Sequence, residues 1–410
     1  MNSSFYSNLL IGGLVALFSA FFLSKRLRNS KDWKATVTPL ASIIGSGFLI
    51  SAPLLVLTAG KWAPLVIVTI VFIAYFLGGV MRFNIINFEP LLEGRASRNR
   101  FILKLEAISR PTLGIAYIIS VTFYLQLFSA FLFRGFNVSN PLFENISTTF
   151  MLIFIGVLGW RRGFSMLEVL EMAAVNLKLV IIFSMIVAHL VFNTNLIIDH
   201  QWELAKHSHY TTVEAFQRIL GMLIIVQGFE TSRYMGQEYS TETRVKTMRY
   251  SQLISGIIYV LFVSSAMVLF NNLHQVSEVS VIALCGMIAP ILPFLLIIAA
   301  LVSQFSAAVA DTLGSSGLLS EATGKRISVK NGILIIALVA IVLTWTTNIY
   351  EIITLASRAF AAYYALQCLI AVIISFRMKA FSLLKLYRVG SYLSLLILML
   401  LVIFFSQSVE

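Results

Sequence analysis

Long apolar runs recur along almost the whole length of this chain, and they constrain its fold more than any other feature. Most are long enough for an α-helix to cross the roughly 30 Å of hydrocarbon in a bilayer. A helix suits that environment because it satisfies its backbone hydrogen bonds internally. Only 12% of the residues are charged, about half the share found in soluble domains. The sequence therefore predicts an all-α, polytopic membrane protein.

The apolar runs predict twelve transmembrane helices in a single membrane domain spanning residues 1–410. No basic region precedes the first run, so we interpret it as a retained helix and not as a signal peptide. The predicted segments are 7–24, 37–59, 62–83, 109–134, 145–160, 168–193, 212–234, 250–271, 281–307, 331–348, 350–376 and 389–406.

The distribution of positive charge predicts how these helices are oriented. Most Lys and Arg residues lie in alternate loops, whereas the remaining loops carry only Lys61, Arg134, Lys206 and Arg218. Short cytoplasmic loops are enriched in Lys and Arg, so we expect an inner or plasma membrane protein with both termini outside. The basic residues of these cytoplasmic loops account for the net charge of +12, so no nucleic-acid partner is expected.

Two predicted helices contain sequences typical of an interruption. Gly45 and Gly47 flank Ser46 in the second helix, and "VQGFETS" (226–232) lies in the seventh. The two interruptions lie five helices apart. Because five is odd, two consecutive units of five helices would cross the membrane in opposite senses. Interrupted helices at matching positions of an inverted repeat indicate a substrate site. We expect repeats at 36–193 and 212–376, with extra helices at 7–24 and 389–406.

A break frees backbone N–H and C=O groups, which can hold the carboxylate and the ammonium group of a zwitterion. The alternative is that the glycines form a packing face against another helix. Glu230, as an intramembrane carboxylate, is a functional candidate, although it could instead pair with Arg233. The predicted substrate-binding residues are Ile44, Gly45, Ser46, Gly47, Phe48, Gln227, Gly228, Phe229 and Glu230.

Lys178 lies deep in the sixth predicted helix, where an ammonium group needs a partner. It could supply one positive charge between helices, as a bound sodium ion can, or it could extend to the cytoplasmic surface. We predict coupling roles for Lys178, Asp311, Ser303 and Ser306, with Asp311 as a possible partner of the lysine.

Enzymatic function has little support in the sequence. "GSSG" (314–317) matches a string found in intramembrane serine proteases, but no histidine follows position 274 to complete a dyad. Neither a phosphate-binding loop nor an HExxH string is present. We expect no enzymatic activity, no cofactor and no metal site.

Three segments resemble the amino acid–polyamine–organocation (APC) superfamily of permeases. They are "IIGSGFLISAPLL" (43–55), "AVNLKLVIIFSMIVAHL" (174–190) and "GFETSRYMGQEYSTETRVKTMRYSQLIS" (228–255). The resemblance implies a LeuT-like fold in which these segments are the first, fifth and sixth core helices. The extra N-terminal helix is instead similar to sodium:solute symporters. Their sodium-binding serine and threonine are replaced by Ala308 and Val309.

Together these features predict a secondary active transporter that works by alternating access. The expected substrate is an amino acid or related small amine, bound within the lipid bilayer and moved by coupling to H⁺ in preference to Na⁺, or by exchange. Two alternatives stay open: a sodium-coupled symporter, and a membrane sensor or subunit that binds a ligand without transporting it.

Overall fold

The computed structural model describes residues 2–93, 100–138, 140–162, 165–204, 210–236, 238–270, 280–378 and 383–408. Within these ranges the chain is helical and contains no strand. The α-helices are α1 (Asn2–Phe22), α2 (Lys25–Arg28), α3 (Lys31–Ala59), α4 (Ala63–Asn87), α5 (Glu89–Glu93), α6 (Arg100–Gly135), α7 (Pro141–Arg162), α8 (Ser165–Ile198), α9 (Thr212–Gly221), α10 (Thr231–Tyr234), α11 (Thr241–Ala266), α12 (Ser280–Cys285), α13 (Leu292–Ala322), α14 (Val329–Thr346), α15 (Ile349–Arg377) and α16 (Leu383–Phe405). Short 3-10 turns cover Gly60–Trp62, Leu223–Val226 and Met267–Phe270.

The predicted crossings correspond to these helices. Nine stretches of the described residues are long and apolar enough to span a membrane, and one of them, Lys31–Leu91, contains both α3 and α4. Helix α1 and the broken segment from α9 to α10 account for the other two crossings. We call the side with the Lys- and Arg-rich loops the basic side, and the opposite side the outer side.

The ninth crossing differs from its prediction of a single helix over 281–307. Instead α12 ends at Cys285, and α13 begins at Leu292 and continues to Ala322. Pro290 lies in the connection, and Pro293 occupies the first turn of α13, where its missing N–H costs no hydrogen bond. The polar stretch after 307 stays helical because its small side chains are buried. For example, Ser315 donates a 2.8 Å hydrogen bond to the carbonyl of Gly114.

The predicted break at 45–47 is wrong, because α3 is helical from Lys31 to Ala59. Its glycines allow close packing instead. A Cβ at Gly45 would lie 2.9 Å from the Cβ of Ala307, and one at Gly47 would lie 3.1 Å from Cγ1 of Ile225. This is the small-residue packing that the sequence left as an alternative.

The predicted break in the seventh crossing is confirmed. Helix α9 ends at Gly221, a 3-10 turn covers Leu223–Val226, and α10 begins only at Thr231. Gly228 has φ +121°, a conformation that side-chain-bearing residues rarely adopt. A Cβ there would also lie 2.6 Å from Oγ of Ser42. The break therefore packs directly on α3.

The helices divide into a buried core and a lipid-facing periphery. Most of α6 is buried, as are large parts of α8, α11 and α15, whereas α7, α14 and α16 are mostly exposed. The exposed side chains of the peripheral helices are apolar, as Phe150, Leu338 and Phe404 illustrate. This distribution fits a protein surrounded by hydrocarbon. The division into repeats at 36–193 and 212–376 stays a prediction.

The packing of α3 against α13 generates a first prediction. Gly45→Ala should lower stability by about 1–3 kcal/mol, because the added methyl group overpacks the contact with Ala307. Adding Ala307→Gly should recover part of this loss, since it removes the atom that the new Cβ meets, although glycine is the poorer helix former. Thermal unfolding of the purified variants in detergent measures both effects.

Gly390→Ala is the matched control, because nothing lies within 4 Å of a Cβ built at Gly390. It should leave stability unchanged or slightly raised, as alanine is the better helix former. Equal effects of Gly45→Ala in the presence and absence of Ala307→Gly would contradict the packing contact.

Candidate substrate and coupling site

The break satisfies its own backbone groups and leaves a carboxylate at its centre. Thr231 donates a 2.8 Å hydrogen bond to the carbonyl of Gly228. The N–H of Gly228 donates to Oε2 of Glu230 at 2.9 Å, and the hydroxyl of Tyr364 donates to the same oxygen at 2.7 Å. Glu230 is 0% exposed. The bonds to the carboxylate come from the break and from α15, so Glu230 connects the two.

The hydroxyl of Tyr117, on α6, also lies near the carboxylate of Glu230. Among the described residues, neither Oε1 of Glu230 nor the hydroxyl oxygen of Tyr117 has a hydrogen-bond partner at good geometry. An unsatisfied buried carboxylate oxygen is costly. A ligand that donates hydrogen bonds to this oxygen would remove that cost.

Aromatic and amide side chains surround this carboxylate. The ring of Phe229 stacks on that of Tyr364, with centroids 5.4 Å apart. Nε2 of Gln227 lies 3.3 Å from the hydroxyl of Tyr124. The hydroxyl of Tyr259, on α11, lies 2.9 Å from the carbonyl of Ile43 and 2.6 Å from that of Ile225. The tyrosines thus bind both the break and the facing turn of α3.

Lys178 lies at the junction of three helices and is 1% exposed. Its Nζ, carried by α8, donates to the carbonyl of Ala41 on α3 at 2.9 Å and to Oγ of Ser303 on α13 at 3.3 Å. The alternative in which the lysine reaches the cytoplasmic surface is therefore wrong. The ammonium group instead sits one turn of α3 below Gly45, against the same part of α13 that packs on this glycine.

A cavity of about 530 Å³ reaches the site from the basic side. At its deep end it is lined by Tyr117, Thr231 and Asp311, and toward the basic side by Lys34 and Glu321 among others. Tyr117 and Thr231 also contact the break, as described above. The cavity therefore leads to the break, although Glu230 itself does not line it.

Arg233, in α10, anchors the second half of the broken helix through a buried ion-pair network. Its Nη2 lies 3.1 Å from Oε1 of Glu106, and its Nε lies 3.6 Å from Oε1 of Glu89. Arg244 binds Glu89 at 2.6 Å and the carbonyl of Arg233 at 2.7 Å. The predicted alternative pair of Arg233 with Glu230 is thus not formed. Arg233 instead ties α10 to α5 and α6.

Comparison with known families decides the identity of a chain with this architecture. A family model described as an APC superfamily transporter matches residues 25–406. The chain belongs to the APC superfamily of transporters. A relative from Aquifex aeolicus (strain VF5), described only as an uncharacterized protein, is 44% identical over 367 residues, which cover 88% of this chain and 89% of that protein.

Solved structures show that this transporter has the LeuT-like fold. The nucleobase-cation-symport-1 family transporter Mhp1, in a closed conformation with bromovinylhydantoin bound, matches with a TM-score of 0.58 over 90% of each chain at 13% identity. A manganese transporter from Eremococcus coleocola matches with a TM-score of 0.57 over 90% of this chain and 86% of that chain, at 14% identity. A substrate-bound Na⁺-coupled sialic acid symporter matches with a TM-score of 0.55 over 98% of each chain at 13% identity.

The transporter fold brings many of the predicted site residues together. Gly228 packs on α3 beside Ile43, Gly45 packs on α13, and Lys178 binds Ser303. The main chain of Ser46 belongs to α3, while its side chain lies outside the described part of the structure. The assignment of these residues to substrate binding stays a prediction.

Other predicted residues contribute differently. Ile44 is buried in the core, and Phe48 packs on Phe262 of α11 with ring centroids 4.3 Å apart. Ser306 donates to the carbonyl of Ser303 within its own helix. Asp311 lies about two turns beyond Ser303 in α13 and lines the cavity.

Sequence reasoning missed several polar residues of this site. Tyr117 and Tyr364 contact Glu230, Tyr259 binds the main chain of α3, and Glu106 holds Arg233. The three tyrosines lie in long helices with many apolar residues, where a single tyrosine has no local signature. Glu106 and Arg233 could have been noticed as opposite charges near helix ends, but their pairing spans 127 positions of the chain.

The anchoring network generates a second prediction. Glu106→Gln should destabilise the transporter by about 3–5 kcal/mol, because it leaves the buried guanidinium of Arg233 without its closest carboxylate. Glu321→Gln is the matched control, since Glu321 is largely exposed and pairs with Arg110. That surface pair should contribute at most about 1 kcal/mol. Thermal unfolding in detergent compares the two variants, and equal losses of stability would contradict the anchoring role of the pair between Glu106 and Arg233.

Proposed function

We propose that this transporter moves an amino acid or related small amine by alternating access, with coupling to protons through Lys178 or with exchange of substrates. We also propose that both termini lie outside. The cavity on the basic side is then the cytoplasmic entrance, and the structure corresponds to an inward-facing arrangement. The position of Lys178 is the observation that carries the coupling proposal.

Lys178 places a fixed positive charge where three helices meet. Its hydrogen bonds to Ala41 and Ser303 connect α8 with α3 and α13, so the charge can hold these helices in one relative position. A bound sodium ion could connect helices in the same way. Unlike that ion, a lysine can release a proton and remain in place. Loss of the proton would weaken these bonds and favour a different arrangement of α3.

Sodium-coupled symport remains the alternative within transport. One solved structure of the same fold is a Na⁺-coupled sialic acid symporter. In this chain, Ala308 and Val309 are buried in α13, and neither side chain carries an oxygen to ligate a hard cation such as Na⁺. This chemistry favours protons over sodium as the coupling ion.

The surroundings of Glu230 support recognition of an ammonium group. The carboxylate is buried, its Oε1 is not satisfied by the described residues, and rings of Tyr117, Phe229 and Tyr364 lie beside it. Carboxylates and aromatic faces both attract cations. The carboxylate of an amino acid has less support, because α3 keeps its N–H groups within an uninterrupted helix.

A third prediction tests coupling. In proteoliposomes, accumulation of the substrate should persist when choline replaces sodium and should stop when the proton gradient is collapsed. Lys178→Ala should reduce proton-driven accumulation about tenfold or more, the size expected when hydrogen bonds from a charged group are lost. Full proton-driven transport by Lys178→Ala would overturn the coupling role.

Lys61→Ala serves as the matched control for Lys178→Ala. Lys61 is exposed at the outer end of α3, over the ring of Trp62, so its removal should leave coupling unchanged. Dependence of uptake on sodium alone would instead support the sodium-coupled alternative.

A fourth prediction concerns the substrate class. In a thermal-shift screen of the purified transporter, amino acids and small amines should stabilise it, whereas sugars and purely anionic compounds should not. A ligand at one hundred times its dissociation constant contributes about 2.7 kcal/mol. Glu230→Gln should abolish the shift caused by amines. If amines still shift the unfolding temperature of Glu230→Gln, Glu230 does not bind the ammonium group.

The same compounds distinguish a transporter from a ligand-binding sensor. A compound that stabilises the protein should also exchange across reconstituted vesicles when it is present on both sides. Binding without any flux would support the sensor alternative.

A further inference from the structure

The segment that follows α16, residues 406–408, folds back onto the outer ends of α9 and α15. The N–H of Gln407 donates a 3.0 Å hydrogen bond to the main-chain carbonyl of Gln217 in α9. Ser406 is 0% exposed. We call residues 406–408 the outer strap.

Two arginines from different helices bind the outer strap. Arg358 of α15 donates through Nε to Oγ of Ser406 at 2.9 Å and through Nη2 to the carbonyl of Ser406. Arg218 of α9 donates to the carbonyl of Ser408, with its guanidinium 4.1 Å from the ring centroid of Tyr210. Cations at a helix C-terminus also interact favourably with the unpaired carbonyls there.

The contact between the outer strap and α9 is close. A Cβ built at Gly221, the last residue of α9, would overlap the carbonyl oxygen of Gln407 and lie 3.2 Å from Oγ1 of Thr354. The carbonyl of Gly221 accepts a 2.6 Å hydrogen bond from Ser357 of α15. The end of α9 is therefore enclosed between α15 and the outer strap.

These contacts matter because both helices lead to the candidate site. Helix α9 is the half-helix that precedes the break at 227–230, and α15 carries Tyr364, which binds Glu230. The cavity described above opens on the opposite, basic side. Opening an outer path to the site requires α9 to separate from α15 and from the outer strap.

We propose that the outer strap is a latch that holds the outer side of the transporter closed, by tying α9 to α15 through Arg218 and Arg358. The latch rests on the proposed alternating access, since it acts on the outward-opening step. Its release is the event that exposes the site to the outside. Variants that lack it should favour the outward-open state.

The experiment measures outer accessibility without any substrate. In a chain with Cys285 and Cys368 replaced by alanine, Thr354→Cys places a thiol in the interface between α15 and Gly221. Intact cells are treated with a membrane-impermeant maleimide, and the labelling rate is measured. Arg358→Ala, and separately a chain ending at Phe405, should raise the rate about tenfold, the factor expected from losing a charge-assisted hydrogen bond.

Arg134→Ala is the matched control, because Arg134 lies on the outer side at the end of α6 and does not contact the outer strap. It should leave the labelling rate unchanged. Equal rates for the starting chain, Arg358→Ala and the shortened chain overturn the latch. A shortened chain that fails to fold still leaves Arg358→Ala and Arg218→Ala, which should each raise the rate.

A disulfide provides a second measurement. In the same cysteine-free background, Gln217→Cys with Gln407→Cys should cross-link the outer strap to α9 and stop exchange of a compound found in the screen, and a reductant should restore it. Undiminished exchange by the cross-linked protein overturns the latch while leaving the transport function intact. Absence of exchange even in the reduced protein, with no labelling at Thr354→Cys in any variant, overturns alternating access and the latch with it.

Discussion

The structure depends on how the backbone groups freed by one break in a membrane helix find hydrogen-bond partners within the protein. Unpaired N–H and C=O groups are costly in hydrocarbon, so a break persists only where protein groups or a polar cavity surround it. Here the N–H of Gly228 donates to Glu230, and the carbonyl of Gly228 accepts from Thr231. The carbonyl of Ile225 accepts a hydrogen bond from Tyr259. Gly228 also allows the break to lie against α3. The same interactions that satisfy the break place a carboxylate and several tyrosines in the membrane interior.

Two buried cations fix the helices around this break. Lys178 holds α8, α3 and α13 together, and Arg233 holds α10 to α5 and α6. Arg233 binds the carboxylates of Glu106 and Glu89, and Lys178 donates to the carbonyl of Ala41 and the hydroxyl of Ser303. Removing one partner of a buried cation is costly, because the charge is then left uncompensated. The coupling role that we propose for Lys178 rests on its position where these three helices meet.

The sequence predicted the helices well because membrane hydropathy and loop charge are local properties that each segment carries by itself. It failed where the outcome depends on a distant partner. The glycines at 45 and 47 are compatible with either a helix break or a close contact between helices. They form close contacts because Ala307 and Ile225, which are distant in sequence, pack against them. At 281–307, the apolar composition concealed an interruption of the helix between α12 and α13, where Pro290 lies. Glu106 and Tyr364 were missed because their partners lie more than a hundred residues away.

The similar structures clarify what can set the substrate of this transporter. A nucleobase-cation-symport-1 family transporter, a manganese transporter and a sialic acid symporter share this fold at 13–14% identity. Since the backbone arrangement is common to all three, the fold alone does not select a substrate. Selection must come from particular side chains. In the site that we propose, these are Glu230 and its neighbouring aromatic rings, which lie at the break. A buried carboxylate beside aromatic faces suits the ammonium group that we propose for the substrate, because both attract cations.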